Sequence, residues 1–215
     1  LYLKRIMKYY DINSTFIKFK LLPIYTNGFK RLYNQDLKAI VNYVKAMNLS
    51  KNSIVYKAMV LLLLDSGMRI SELLNIKISN IDLDTNNLKI YLEETKTGKQ
   101  RYAPFSLFSY AYVKQLIDID SKREYLFINI LKNRRLSKND VRLFYKRLSK
   151  NLKIDRIHSH RFRKTFASVL IENGMSIETL QSLIGHSRIS TTMLYVQFKE
   201  SKALKDYKMF NDWGI

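Results

Sequence analysis

The chain has 215 residues, 47% of them hydrophobic, enough for one sizeable domain with a real core and too apolar for a disordered chain. Lys and Arg number 38 against 18 Asp and Glu, a net charge of +20 and a pI near 10.0. This points to a polyanion, nucleic acid ahead of an anionic membrane surface, because no strongly basic amphipathic helix stands out. The absence of cysteine excludes a disulfide framework, a thiol nucleophile and cysteine zinc sites. The longest apolar run, Ala58–Leu64, is too short to span a bilayer, and the opening LYLKRIMKYY lacks the apolar stretch of a secretory leader. The expectation is a cytoplasmic, DNA-associated protein without membrane contact.

Residues 1–24 are basic and aromatic and read as a linker or as the remnant of a preceding helical domain; Asn27-Gly28 is a turn signal. Helical spacing of Leu37, Ile40, Val41, Val44 and Met47 predicts a helix over Asn34–Met47. A second helix, Asn52–Ser66, is apolar on all sides at AMVLLLL and should be the buried one, ending at Gly67, where a positive φ is expected. Ser71–Ile76 reads as a short helix with Arg69 at its entrance, where the free N–H groups would favour an anion. Strand signals follow at Ile81–Leu83, Leu88–Glu93 and Gln100–Phe105, with turns at Asp84–Asn87 and Lys96–Lys99. Pro104 suits a strand end or an edge.

Ser106–Ile119 looks helical. Ser137, with Asp140 at the capping-box offset, opens a helix whose apolar face is Val141, Phe144, Leu148 and Leu152. A helix over His160–Glu172 stops at Asn173-Gly174. Ser176 caps the next one, Glu178 sits in its first turn and Gly185 ends it. Ser190 or Thr191 would cap a last helix carrying Tyr195. The tail Ser201–Ile215 carries Leu204, Tyr207, Met209, Phe210 and Trp213, too much apolar surface to be left in water. The fold class expected is mainly α with a small antiparallel β-sheet (α+β).

All three histidines, His158, His160 and His186, fall between residues 158 and 186, together with Arg163 and just ahead of Tyr195. Breaking a phosphodiester requires a nucleophile, charge stabilisation of a pentacoordinate phosphorus and a proton for the leaving oxygen. Arginine meets the second need with a permanently charged planar fork, and lysine can meet the third. Tyrosine is a poor nucleophile until neighbouring cations favour the phenolate. Singly, each residue has an ordinary reading. Tyr195 is one of 15 tyrosines, His186 follows a helix-ending glycine, and Lys96 lies in a solvated turn. His158 and His160, one residue apart, lack the spacing of a metal site.

The combination is more specific. SGMRISELLNI, ETKTGKQRYAPF, HSHRFRKTFASVLIENG and LQSLIGHSRISTTMLYVQF occur in this order across roughly residues 30–198. They resemble the catalytic domain of the tyrosine recombinases, the phage-integrase and Xer family. The resemblance implies that fold over residues 25–198, with 1–24 as linker or remnant of an N-terminal DNA-clamping domain. It places 199–215 as a tail that docks on a neighbouring protomer or folds back on its own domain. The chain is then either a fragment of a longer protein or an unusually short member.

By the same resemblance, Arg69 and Arg163 are the two arginines that hold the scissile phosphate, and Lys96 is the hairpin lysine that protonates the leaving oxygen. His160 and His186 complete the cradle, Tyr195 is the nucleophile, and Glu72 orients Arg69 or another member of the site. Lys164 stands where the family often has histidine. Lys99, Arg101, His158 and Lys164 are expected to contact DNA phosphates around the site. The implied partner is a double-stranded recombination site bound by a homotetramer spanning two such sites, with room for accessory proteins. No metal and no cofactor is expected. Two other functions use some of the same features: relaxation of DNA by a type IB topoisomerase, and a non-enzymatic helix-turn-helix module over Ser176–Phe198.

Overall fold

The computed structural model describes residues 31–48, 50–93 and 100–185. The elements run α1 (Asn34–Ala46), α2 (Lys51–Ser66), α3 (Ile70–Leu74), a 3-10 turn (Ile78–Asn80), β1 (Ile81–Asp82), β2 (Lys89–Leu92), β3 (Arg101–Pro104) and α4 (Leu107–Ile119). They continue with β4 (Ile128–Asn129), β5 (Arg134–Arg135), α5 (Lys138–Leu152), α6 (Ser159–Glu172) and α7 (Ile177–Ile184). The expected class, mainly helical with a small antiparallel sheet, is what is found.

Helix α2 is the axle of the domain. Residues 53–63 are all buried, and the helix packs most extensively on α4 and α6. It has no polar face because neighbours cover every side. Each fully buried aliphatic side chain there contributes about 1.5–3 kcal/mol. Lys57, buried within this run, sends its Nζ 3.1 Å to the carbonyl of Lys45, at the negative end of α1. Helix α5 lays Phe144 flat on Tyr56 of α2, with ring centroids 4.4 Å apart. Ser137 and Asp140 make the expected capping box, and Arg134 grips Asp140 with both guanidinium nitrogens at 2.8 and 2.9 Å.

The three-stranded sheet has the order β1-β2-β3, antiparallel throughout, with Ile90 opposite Ala103 and Leu92 opposite Arg101. Ile90, Leu92 and Ala103 face the core, whereas Tyr91 and Tyr102 stay exposed. By that alternation Arg101 shares the inner face with Ala103. Asp65, at the end of α2, accepts hydrogen bonds from Ser106 and Ser109 and so fixes the start of α4.

Two findings differ from the sequence reading. The pair β4–β5 has no sequence signature: strands of two residues are too short to show an alternation, and they are held by Asn52, which bonds Asn129 and the N–H of Ile130. Helix α3 spans only five residues, and Glu72 has already claimed the N–H of Arg69 at its entrance. The expectations for residues 1–30, for the hairpin turn 94–99 and for residues 186–215 lie outside the described residues.

Candidate active site

The site assembles at the C-terminal end of α7. A helix end leaves carbonyls without partners, and a left-handed residue closes it. Gly185, at φ 68°, is that residue. Three arginines from three separate elements then donate to three successive carbonyls. Arg101 Nη1 reaches the oxygen of Leu183 at 2.7 Å, Arg163 Nη2 that of Ile184 at 2.5 Å, and Arg69 Nη2 that of Gly185 at 3.0 Å. Cations at the negative end of a helix dipole are favoured, which draws the arginines to one point.

Arg69 enters from the start of α3. Its Nη1 and its backbone N–H both donate to Glu72, each at 2.7 Å. A guanidinium has no lone pair to return, so half of the usual reciprocal cap is replaced by an ion pair. The Glu72 side chain is only 2% exposed, and it takes a third donor, Arg101 Nη2, at 2.7 Å. Arg163, on α6, is buried; its Nη1 bonds the carbonyl of Gly67, the residue that ends α2. Gly67 adopts φ 60°, and a Cβ there would stand 2.2 Å from the Phe166 ring. This tight contact brings the turn before Arg69 against α6.

His158 is the N-cap residue of α6, and His160 lies in its first turn. Both residues are exposed, yet both imidazoles are held below their ordinary pKa. For His160, partial burial is the main cause, followed by the charges of Arg163, Lys164 and Arg69. For His158, burial is again first, then His160, Arg161 and Lys164. Each ring therefore holds a proton less tightly than a free imidazole does. Lys164 is half-buried beside both rings.

Arg69, Glu72, His160 and Arg163 are thus brought together, with Lys164 and His158 at one margin. Arg101 is the surprise. Expected as a phosphate contact outside the site, it instead turns inward, its fork donating to the Glu72 carboxylate and the Leu183 carbonyl. Burial lowers its pKa, with Arg69 adding to that and Glu72 opposing it; a guanidinium stays charged regardless. The strand alternation Arg101-Tyr102-Ala103 carried the signal for this inward turn.

Arg161 is another residue the sequence reading passed over. It is buried, donates to the carbonyls of Asp155 and Arg31, and helps fasten residues 31–32 to α6. Lys96 and Lys99 belong to segment 94–99 between β2 and β3, and His186 and Tyr195 follow Gly185; these four lie outside the described residues. Among the described residues no three His, Asp or Glu side chains gather as metal ligands would.

A mainly α domain that brings two arginines and a histidine to one spot has the equipment of an enzyme acting on a phosphate ester. The comparisons with known proteins make the class specific. Residues 30–202 match the phage integrase family. A "Probable integrase/recombinase" of Acholeplasma phage L2 is 55% identical over 214 residues, covering 100% of this chain and 73% of the relative. The "Tyrosine recombinase XerC" of Staphylococcus epidermidis strain RP62A is 30% identical over 181 residues, covering 81% of this chain and 59% of the relative. In fold, the chain is similar to the XerH site-specific recombinase bound to its difH substrate, with TM-score 0.71, 20% identity and coverage of 84% of this chain and 54% of that one. The chain belongs to the phage integrase family of tyrosine recombinases, which cleave and rejoin DNA strands. Neither the topoisomerase nor the non-enzymatic alternative is favoured by these relatives.

Proposed function

We propose that this chain supplies the catalytic part of a site-specific recombination reaction on duplex DNA, with Tyr195 as nucleophile. The chain spans 59% of the XerC relative and 54% of the XerH chain, so the activity of a whole recombinase is part of this proposal. The observation that carries it is the convergence of Arg69 and Arg163 on the carbonyls immediately before His186, with His160 alongside.

The phenol of Tyr195 gives up its proton, with His160 as acceptor, and its oxygen attacks the scissile phosphorus. The bond from phosphorus to the 5′ oxygen breaks, Lys96 protonates that oxygen, and a 3′-phosphotyrosyl link remains. Each arginine has five N–H donors, so Arg69 can keep Glu72 and Gly185 and still meet phosphate oxygens. Charge developing on the phosphorane is neutralised by these fixed guanidiniums, together with His186, without reorganisation at the moment of reaction. A 5′-hydroxyl from a second strand reverses the steps. One phosphodiester is exchanged for another, so the free energy of the bond is conserved and ATP is not consumed.

DNA is the partner the charge distribution supports. Lys138, Arg142, Lys146 and Lys150 form an exposed row at i, i+4 spacing on α5, while the acidic residue of that helix's first turn, Asp140, is occupied by Arg134. Such a row gives phosphate affinity that falls steeply with salt. Lys99, His158 and Lys164 are further proposed phosphate contacts. Exchange of strands between two duplexes calls for two protomers on each, hence a tetramer; residues 199–215 are the proposed link between neighbours, and accessory proteins would set the direction. Such a complex works where the DNA is, in the cytoplasm. Among the described residues no helix is long and apolar enough to cross a membrane.

The test is covalent capture on a pool of nicked duplexes with randomised sequence around the nick. A protein–DNA adduct that survives denaturation is expected from the wild-type chain and not from Tyr195→Phe. Equal adduct from both would discard Tyr195 as the nucleophile. Relaxation of any supercoiled plasmid by a monomer would instead favour the topoisomerase reading.

A further inference from the structure

Arg101 occupies the junction of three parts of the site. Its Nη2 holds Glu72, the carboxylate that also takes the backbone N–H and Nη1 of Arg69. Its Nη1 holds the carbonyl of Leu183, and its aliphatic stem lies against Gly185, where an added Cβ would stand 2.8 Å from Arg101 Cδ. Its backbone begins β3 opposite Leu92, so it stands at the base of the segment that contains Lys96. Its Nε is buried with no hydrogen-bond partner. A buried ion pair with an unsatisfied donor is a poor device for stability, because desolvation offsets most of the attraction. It is a good device for direction: Glu72 can choose among rotamers, and a second arginine on Oε2 leaves Oε1 aimed at Arg69.

We infer that Arg101 is a positioning residue for DNA cleavage, acting without touching DNA by holding Glu72 against Arg69 and anchoring the end of α7 that leads into His186. This role rests on the function proposed above. Losing Arg101 would leave Arg69 charged and present but unaimed. Binding would change little, because the Arg101 side chain is largely buried and the phosphates still meet the same exposed cations, while the transition state would lose a fixed donor.

The test uses the full 215-residue chain and the duplex recovered by wild-type capture from the randomised nicked pool. Capture rate at saturating DNA, dissociation constant and melting temperature are measured for Arg101→Met, Arg101→Lys, Glu72→Gln and the double variant Arg101→Met with Glu72→Gln. Arg101→Met is expected to slow capture by about 10- to 100-fold, as loss of an orienting group does, with DNA affinity nearly unchanged. Arg101→Lys keeps the charge but not the two-pronged fork and should recover only part of the rate. Because both residues act on Arg69, the double variant should be no slower than the worse single one, to within about 2-fold. A merely structural residue would lower the melting temperature and leave the saturated rate of the folded protein alone.

Full-rate capture by Arg101→Met, losses that multiply in the double variant, or a defect confined to affinity would each overturn the inference. Should Arg101→Met fail to fold, the rate of Arg101→Lys decides, and a wild-type rate there overturns it. Absence of any adduct from the wild-type chain would sink the functional reading itself; a wild-type adduct with unslowed variants sinks only the role of Arg101.

Discussion

Helices α2 and α7 are fixed in space by opposite means. Helix α2 is sixteen residues long and buried along nearly all its length, so its place is set by apolar contact, which is strong but indifferent to small rotations. Helix α7 is eight residues long. It shares a cluster of four buried residues with α6 (Ala167, Ile171, Leu180 and Ile184), and its end is pinned by arginines on three consecutive carbonyls. Hydrogen bonds are directional, so a short helix held this way has its last residues placed more sharply than burial could place them. The polar joint stands where the chain passes into His186; the apolar axle stands behind it. Stability and precision are thus assigned to different elements.

The sharpest way to break the comparison is Arg163→Ala. It removes a fixed donor from the proposed phosphate cradle and strands the carbonyls of Gly67 and Ile184. Capture should fall by about 10²- to 10³-fold, and each buried carbonyl left unpaired should cost about 1–3 kcal/mol. Single-turnover capture and urea melts measure the two losses. An active, fully stable Arg163→Ala would mean that the end of α7 does not depend on its arginines.

Leu62→Ala is the mirror experiment on the apolar axle. Leu62 is fully buried, and the truncation should cost about 2–5 kcal/mol of stability by urea melt. At a temperature where the variant remains folded, its capture rate should match wild type. A rate defect without unfolding would show that α2 sets catalytic geometry as well as stability.

How much of this was legible beforehand divides along the same line. Elements built by apolar patterning could be read directly: α2 from its continuous run, α5 from Ser137, Asp140 and its buried face, α7 from Ser176 and Gly185. The motifs around Arg69, His160 and Arg163 named the candidate site residues, because residue type and order survive in a sequence. What did not show was which way a polar side chain turns. Arg101 read as surface charge, yet it closes on a carboxylate contributed by another element. Arg161, between His160 and Arg163, carried no signal of its own, yet it fastens the chain entering the domain. Partners distant in sequence leave no local periodicity, so these bonds are visible only once the elements are packed.

Gly185→Ala sharpens the comparison at its hinge. The left-handed backbone there costs a residue with a Cβ about 1 kcal/mol, and the new methyl would meet the Arg101 side chain at 2.8 Å. Stability should fall modestly by thermal melt, while capture should fall by more than the lost stability explains, because Arg101 must move. An alanine variant with unaltered capture would show that the contact between Gly185 and Arg101 is incidental.

The smallest expected effect is one of pH. The ring of His160 is held below its ordinary pKa of about 6.5 by partial burial and by Arg163, Lys164 and Arg69. Between its folded and unfolded values the unfolded chain binds more protons. The stability this group contributes is therefore complete above about pH 6.5 and is lost as pH falls through the lower folded value. His158 titrates in the same direction for the same reason. The catalytic consequence follows if neutral His160 takes the proton of Tyr195: the acid limb of kcat/KM, which reports the free enzyme, should lie below about pH 6.5. Replacing Lys164 by Gln removes one of the charges that depress both rings, so the limb should move toward higher pH, while loss of a proposed phosphate contact lowers the plateau without shifting it along the pH axis. Urea melts of the same variant should show its acid-side loss of stability starting at a higher pH, in step with the kinetic limb. A limb that stayed in place would mean that a group other than His160 accepts the proton.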